Sequence, residues 1–201
     1  MIVIGIAGGS GAGKTTFVSA LREALAEKGK TLSVIEQDVY YYDQGHLPME
    51  ERRKVNYDEP ASIEFPLISQ HVQDLRKGRS VEIPVYDVLS MTRSAETTPL
   101  EPSDVLVVEG ILVLCDENLR AQLDLAVYLE IDPETRLQRI IKRDGEERGR
   151  DEQTVRDRVE ATVEPMHQLH VLPSKASADL VFRTSGDLTE SIGILCQRMG
   201  L

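Results

Sequence analysis

Short apolar runs alternate with helically spaced segments along this chain, and that alternation predicts a parallel α/β sheet. Residues 1–7 form an unbroken apolar run, as a central strand covered on both faces requires. After a glycine-rich loop, Phe17, Val18, Leu21 and Leu25 recur at helical spacing, and Gly29 stands where helices commonly end. Residues 31–35 read as a second strand, 104–108 as a third, 125–131 as a fourth and 180–182 as a short fifth. A helix is expected over 63–77, with Pro66 tolerable only in its first turn. Val81, Ile83 and Val85 alternate with Glu82 and Pro84, which predicts a hairpin or edge strand in an insert over about 79–100. Pro133 opens a long charged helical region running to about residue 162, interrupted near Gly145 and Gly149, and a last helix follows Asp187. The stretch 39–62 has no regular pattern, yet it holds Tyr40, Tyr41, Tyr42 and Tyr57. Aromatic rings are costly to leave in water, so this stretch is expected to pack against the body.

Composition narrows the picture. A chain of 201 residues suits one domain spanning 1–201 with a sizeable core. With no tryptophan and three phenylalanines, that core must be aliphatic. The net charge of −11 weighs against partners such as nucleic acid or an anionic membrane. Cys115 and Cys196 lack metal-ligand spacing and read as two reduced thiols. No apolar run reaches membrane-spanning length, and the first one flows into a phosphate-binding motif rather than a cleavage site. A cytoplasmic location is expected.

The chemistry begins at Gly8-Gly9-Ser10-Gly11-Ala12-Gly13-Lys14-Thr15, which fits G-x-x-x-x-G-K-S/T without a mismatch and is followed by Thr16. Glycines let the backbone wrap a phosphate with its N–H groups pointing inward. Lys14 offers a cation to the β and γ oxygens, Thr15 offers a hydroxyl to magnesium, and the helix that starts there adds its positive end. Asp38 and Glu109 each follow an apolar strand. Strand carboxyl ends form the ligand edge of a parallel sheet, so both acids are expected near the magnesium and phosphates. Eight basic residues crowd positions 136–158. Acidic neighbours make part of this a solvated helix with paired charges, and Arg156 belongs to that part. Arg143, Arg148 and Arg150 are expected instead on a helical lid (about 133–162) that neutralises charge on a transferring phosphoryl group. His167 and His170 form H-x-x-H, but without a third ligand nearby they read as core or surface histidines.

Taken in order, these motifs resemble the uridine–cytidine kinases, within the phosphoribulokinase and uridine kinase group. G-G-S-G-A-G-K-T-T is the family's phosphate loop, and I-E-Q-D-V-Y-Y, N-Y-D-E-P-A, P-V-Y-D with Arg93, V-V-E-G-I-L and K-R-D-G-E-E-R-G-R-D are similar to its later motifs. The resemblance implies a P-loop NTPase-type kinase fold: a five-stranded parallel sheet flanked by helices, with an inserted β-hairpin and a helical lid. It implies ATP as donor with Mg2+, Asp38 as general base and magnesium ligand, and Thr15 and Glu109 completing the metal shell. Asp58 would hold the ribose hydroxyls with Arg150 nearby, Tyr41 and Tyr86 would line the nucleoside pocket, and Arg143 and Arg148 would act from the lid. Arg93 is carried over as substrate-binding, and a homotetramer is implied.

Three positions depart from the family's base-reading pattern: Met91 stands for a histidine, Val88 for a phenylalanine and Arg158 for a glutamine. Methionine donates no hydrogen bond to a pyrimidine carbonyl. The expected activity is 5′-phosphorylation of a pyrimidine ribonucleoside. Its rivals are a kinase for another nucleoside, sugar or sugar phosphate, and a nucleotide-dependent switch without transfer activity.

Overall fold

The computed structural model describes residues 1–201. Its strands are β1 (Ile2–Ala7), β2 (Leu32–Glu36), β3 (Val81–Asp87), β4 (Thr92–Leu100), β5 (Val105–Glu109), β6 (Leu125–Glu130) and β7 (Leu180–Arg183). Five of them form one sheet in the order β2-β5-β1-β6-β7, every pair parallel, and β3 and β4 form a separate antiparallel hairpin. The main helices are α1 (Lys14–Glu27), α2 (Phe65–Arg76), α3 (Pro133–Arg148), α4 (Glu152–Arg158) and α5 (Thr189–Met199).

The sheet is covered on both faces, so its strands carry apolar side chains on both. Ile4, Ile6, Val105, Val107 and Val127 pack with Phe17, Leu21 and Leu25 of α1 and with Leu195 of α5. Val3, Ile35, Leu106 and Val108 pack on the other side with Ile68, Val72 and Leu75 of α2. The core is aliphatic as composition requires, with Phe17 stacked on Phe182 at a centroid distance of 5.7 Å.

Three aspartates fasten the amino-terminal edge of the sheet. Each directly precedes a strand, and its carboxylate accepts a backbone N–H from the neighbouring strand or its approach: Asp104 from Thr31 (2.9 Å), Asp124 from Val3 (2.7 Å) and Asp179 from Ala126 (2.7 Å). The reverse bonds, Asp124 N–H to Val3 and Asp179 N–H to Ala126, close the same pairs.

The helical region differs from its expected form. α3 runs through Gly145 without a break and stops at Gly149, whose φ of 62° takes the left-handed conformation that glycine favours. Helical turns then continue beyond residue 162, as far as Ser177. Pro165 and Pro173 lie inside this extension, where a proline lacks the N–H donor and clashes with the preceding turn. Each follows a turn widened to π-helical spacing, Val159–Val163 and His167–Val171, which makes room for the ring. The stretch 39–62 also has more order than its sequence suggested. It holds short helical turns at Met49–Arg52 and Pro60–Ser62, and Tyr40 is fully buried with its hydroxyl 2.8 Å from His71 Nδ1. Tyr42 is the exception to the expected packing, being exposed.

Candidate active site

The phosphate loop joins β1 to α1 at the carboxyl edge of the sheet, as its motif requires. Gly11 has φ 81°, and a Cβ there would lie 2.7 Å from the carbonyl oxygen of Arg136, so no side chain fits. The loop is pinned from inside by Ala12 N–H to the Gly9 carbonyl (2.9 Å) and from outside by the Thr184 hydroxyl to the Ala12 carbonyl (2.6 Å). α1 starts without a side-chain cap and without an acid in its first turn. Its first N–H groups and positive dipole end are therefore left for an anion.

Lys14 directs its ammonium back over the loop, 3.2 Å from the Gly8 carbonyl. Burial pushes its pKa down, and the nearby carboxylates of Glu109 and Asp38 oppose that shift. Glu109, at the end of β5, is pushed up to about 7 by burial, with Lys14 opposing and Asp38 and Glu36 adding to the rise. Asp38 sits in the short helical turn Gln37–Tyr40 that directly follows β2. The next residue of the β5 edge, Gly110, lets the chain pass under Gln37, whose side-chain oxygen takes the Leu112 N–H at 2.7 Å. Thr15 and Thr16 are on the first turn of α1, and both are exposed.

These groups fit a magnesium ion. No group of three or more His, Cys, Asp or Glu forms a protein metal cage. Two carboxylates and one hydroxyl suit an ion held mainly by phosphate and water, and the raised Glu109 carboxyl marks a buried acid next to another acid, a pair that a cation would relieve.

A cleft of about 450 Å³ opens from Asp38 away from the phosphate loop. Of the predicted substrate-binding residues, Asp38, Tyr41, Asp58, Tyr86, Met91 and Arg150 line it, together with Arg148. Arg93 does not: it turns from the cleft and pairs with Glu64 at 2.5 Å. Tyr41 stands at the centre of an aromatic cluster, 5.1 Å from Tyr57 and 5.2 Å from Tyr86 between ring centroids. Asp58 is buried at the start of a tight turn, where its N–H is held by the Asn56 side chain (3.1 Å). Burial pushes its carboxyl up, and Arg158, whose guanidinium comes within 3.9 Å, pulls it down.

The far wall is the β3–β4 hairpin. Asp87 shapes its turn by accepting from Leu89 N–H (2.9 Å) and the Ser90 hydroxyl (2.7 Å). Met91 follows with φ 55°, a left-handed conformation strained for a residue with a side chain. Arg52 ties this turn to the preceding loop by donating to the carbonyls of Ser90, Leu47 and Gly45.

The arginines expected on the lid converge on one carboxylate. Arg143, Arg148 and Arg150 all pair with Asp144, which has no exposed surface. The acidic neighbours of this segment read as solvated partners, but Asp144 is fully buried, because burial here comes from the fold-back at Gly149 and not from any local pattern. Arg158, noted only as a departure, joins the same carboxylate at 3.2 Å. Burial would raise the Asp144 carboxyl, but these guanidiniums outweigh it and hold the pKa below the ordinary value. Arg156 pairs with Glu152 on the exposed face, as expected.

His167 is packed behind the phosphate loop, where a Cβ at Gly9 would touch both its ring and Arg136. Burial and then Arg136 lower its pKa to about 4, and Arg136 is itself paired with Glu164. His167 therefore serves the packing behind the loop. No helix is long and apolar enough to cross a membrane.

Comparison with known proteins agrees with this geometry. The model of the phosphoribulokinase / uridine kinase family matches residues 3–189. A uridine kinase of Macrococcus caseolyticus is 43% identical over 197 residues, covering 98% of this chain and 95% of that one. A uridine kinase of Bacillus subtilis strain 168 is 42% identical over 198 residues, covering 98% and 93%. Among solved structures, a possible uridine kinase from Bacillus stearothermophilus superposes with a TM-score of 0.56 at 25% identity, covering 90% and 88%.

Proposed function

The chain belongs to the phosphoribulokinase / uridine kinase family, and from that premise we propose that it transfers the terminal phosphoryl group of ATP to the 5′-hydroxyl of a pyrimidine ribonucleoside, uridine or cytidine, as a step of pyrimidine salvage. The observation that carries this reading is the cleft that runs from Asp38, beside the phosphate loop, to an aromatic and apolar wall.

The α1 amides and Lys14 hold the donor's β and γ phosphates. The acceptor's 5′-oxygen lies at Asp38, which takes its proton as the new O–P bond forms and the bond to the β-phosphate oxygen breaks, releasing ADP. Arg143 and Arg148 neutralise charge on the moving group. Asp58 accepts hydrogen bonds from the ribose 2′ and 3′ hydroxyls, and Tyr41 and Tyr86 offer ring faces to the base. Thr15, Asp38 and Glu109 would hold magnesium, which supplies charge neutralisation to the phosphates when bound. The proposal includes a homotetramer in the cytoplasm; light scattering tests the tetramer against a 22.4 kDa monomer.

A second reading has its own support. Arg53 and Arg158 line the cleft and Met91 supplies no base-reading donor, which favours an anionic acceptor such as a sugar phosphate. ADP release is measured with ATP, magnesium and a panel of uridine, cytidine, adenosine, guanosine and ribulose 5-phosphate. Turnover with uridine or cytidine supports the first reading; silence with both and activity on another acceptor replaces it. Asp38→Asn is expected to lose turnover by about 10²–10⁴-fold while still binding ATP; a protein that serves only as a nucleotide switch would be indifferent to that change.

A further inference from the structure

Asp144 is the most heavily contacted charged group in the molecule, and its two oxygens divide their partners. Oδ1 accepts from Arg143, at 2.9 Å from Nη2 and 3.1 Å from Nε. Oδ2 accepts from Arg150 at 3.0 Å and from Arg158 at 3.2 Å. Arg148 Nη1 straddles both, 3.3 Å from Oδ1 and 3.4 Å from Oδ2. The first side faces the donor: Arg143 Nη2 is also 3.4 Å from the Ser10 hydroxyl of the phosphate loop. The second faces the acceptor: Arg148, Arg150 and Arg158 line the cleft, and Arg158 reaches Asp58. The arms come from α3, from the turn after Gly149 and from α4, and this carboxylate is the partner that all four share.

Charge balance alone would need one partner. Four guanidiniums meet this one carboxylate, and even with Asp58 3.9 Å from Arg158 they leave a positive surplus at the junction of donor and acceptor. A carboxylate has about four lone-pair sites, so the arms share a saturated acceptor. Phosphates that draw Arg143 away from Oδ1 relieve that sharing and leave Arg150 and Arg158 more firmly placed in the cleft.

We propose, building on the phosphotransfer reading above, that Asp144 is a positioning residue for the reaction: one buried carboxylate that aims the arginines of both substrates and makes their binding cooperative. It touches neither substrate and acts through the arms it holds.

The test uses the full chain with Asp144→Asn and Asp144→Glu, checked for folding by thermal melting. In the unaltered protein, uridine binds at least about fivefold more tightly when a non-hydrolysable ATP analogue and magnesium are present. Asp144→Asn keeps or tightens its hold on the analogue, because the positive surplus grows, yet kcat falls about 100-fold and the cooperativity disappears. Asp144→Glu keeps the charge but moves the carboxylate by one methylene; a positioning role costs at least about tenfold in kcat, where a role in charge balance alone leaves turnover unchanged. Unchanged kcat and cooperativity in Asp144→Glu overturn the proposal, as does analogue affinity that falls in step with kcat in Asp144→Asn. If Asp144→Asn does not fold, Asp144→Glu decides alone. Failure of the unaltered chain to use any pyrimidine nucleoside refutes the phosphotransfer reading separately. The panel's true acceptor then replaces uridine, and with no acceptor the analogue affinity of the variants decides: a fall in Asp144→Asn overturns the proposal, and an equal or tighter hold supports it.

Discussion

The phosphate loop and the acceptor cleft lie side by side at one sheet edge, but they are built of different material. The loop is main chain, fixed by hydrogen bonds from Ala12 and Thr184 and by close approach to Arg136. The cleft is side chain, walled by a hairpin on which Leu89 is 74% exposed and Val88 52% exposed. A site made of backbone recognises what every donor shares, its phosphates. A site made of projecting side chains can be altered residue by residue, and acceptor choice therefore resides there.

The contrast can be broken at either end, and the largest effect belongs to the loop. Lys14→Ala should lower kcat/KM by about 10²–10³-fold, and by the same factor for every acceptor that works, as steady-state kinetics on two acceptors would show. An acceptor-dependent loss would mean the loop also reads the acceptor.

Next comes Glu109, between the two regions. Its folded pKa of about 7 lies above the ordinary 4.5, so the native state holds a proton the unfolded chain has released. Stability from this group is complete below about pH 4.5 and is lost as pH rises through about 7. Relative to Glu109→Gln, the protein without ligand should lose about 3 kcal/mol over that window, measured by denaturant melts at several pH values. His167 acts with the opposite sign, because its pKa of about 4 lies below 6.5 and favours folding as pH rises between those values. That contribution is common to both proteins and cancels in the difference. Magnesium with nucleotide should flatten the curve.

The smallest effect belongs to the hairpin. Met91→Gly removes a left-handed strain of about 1–2 kcal/mol and also a partly buried side chain, so the melting temperature should move little. The uridine-to-cytidine ratio of kcat/KM should shift by about tenfold with ADP affinity unchanged, which sharpens the division of labour.

The sequence was most legible where one local rule decides the outcome. The strands followed from apolar runs, the phosphate loop from its glycines, and the hairpin from alternation over Val81, Ile83 and Val85. The positions of Asp38 and Glu109 followed from the direction of a parallel sheet. It was least legible where distant segments meet. Asp144 is buried only because α4 folds back on α3, and Arg93 leaves the cleft only because Glu64, from a separate segment, stands beside it. The helical turns around Pro165 and Pro173 were hidden for another reason: proline argues against a helix unless the turn before it widens.

Asp104, Asp124 and Asp179 splice neighbouring strands at the edge opposite the chemistry. Because a slip of one residue would turn every strand side chain to the wrong face, these splices work like the tied end of a fan. They set the alignment at one rim, and the slats remain free to differ at the other. Loops beyond the carboxyl rim can then lengthen, shorten or change their side chains without disturbing how the strands line up. The frame can thus outlast a change of acceptor, with the cost of a new specificity falling on the loops alone.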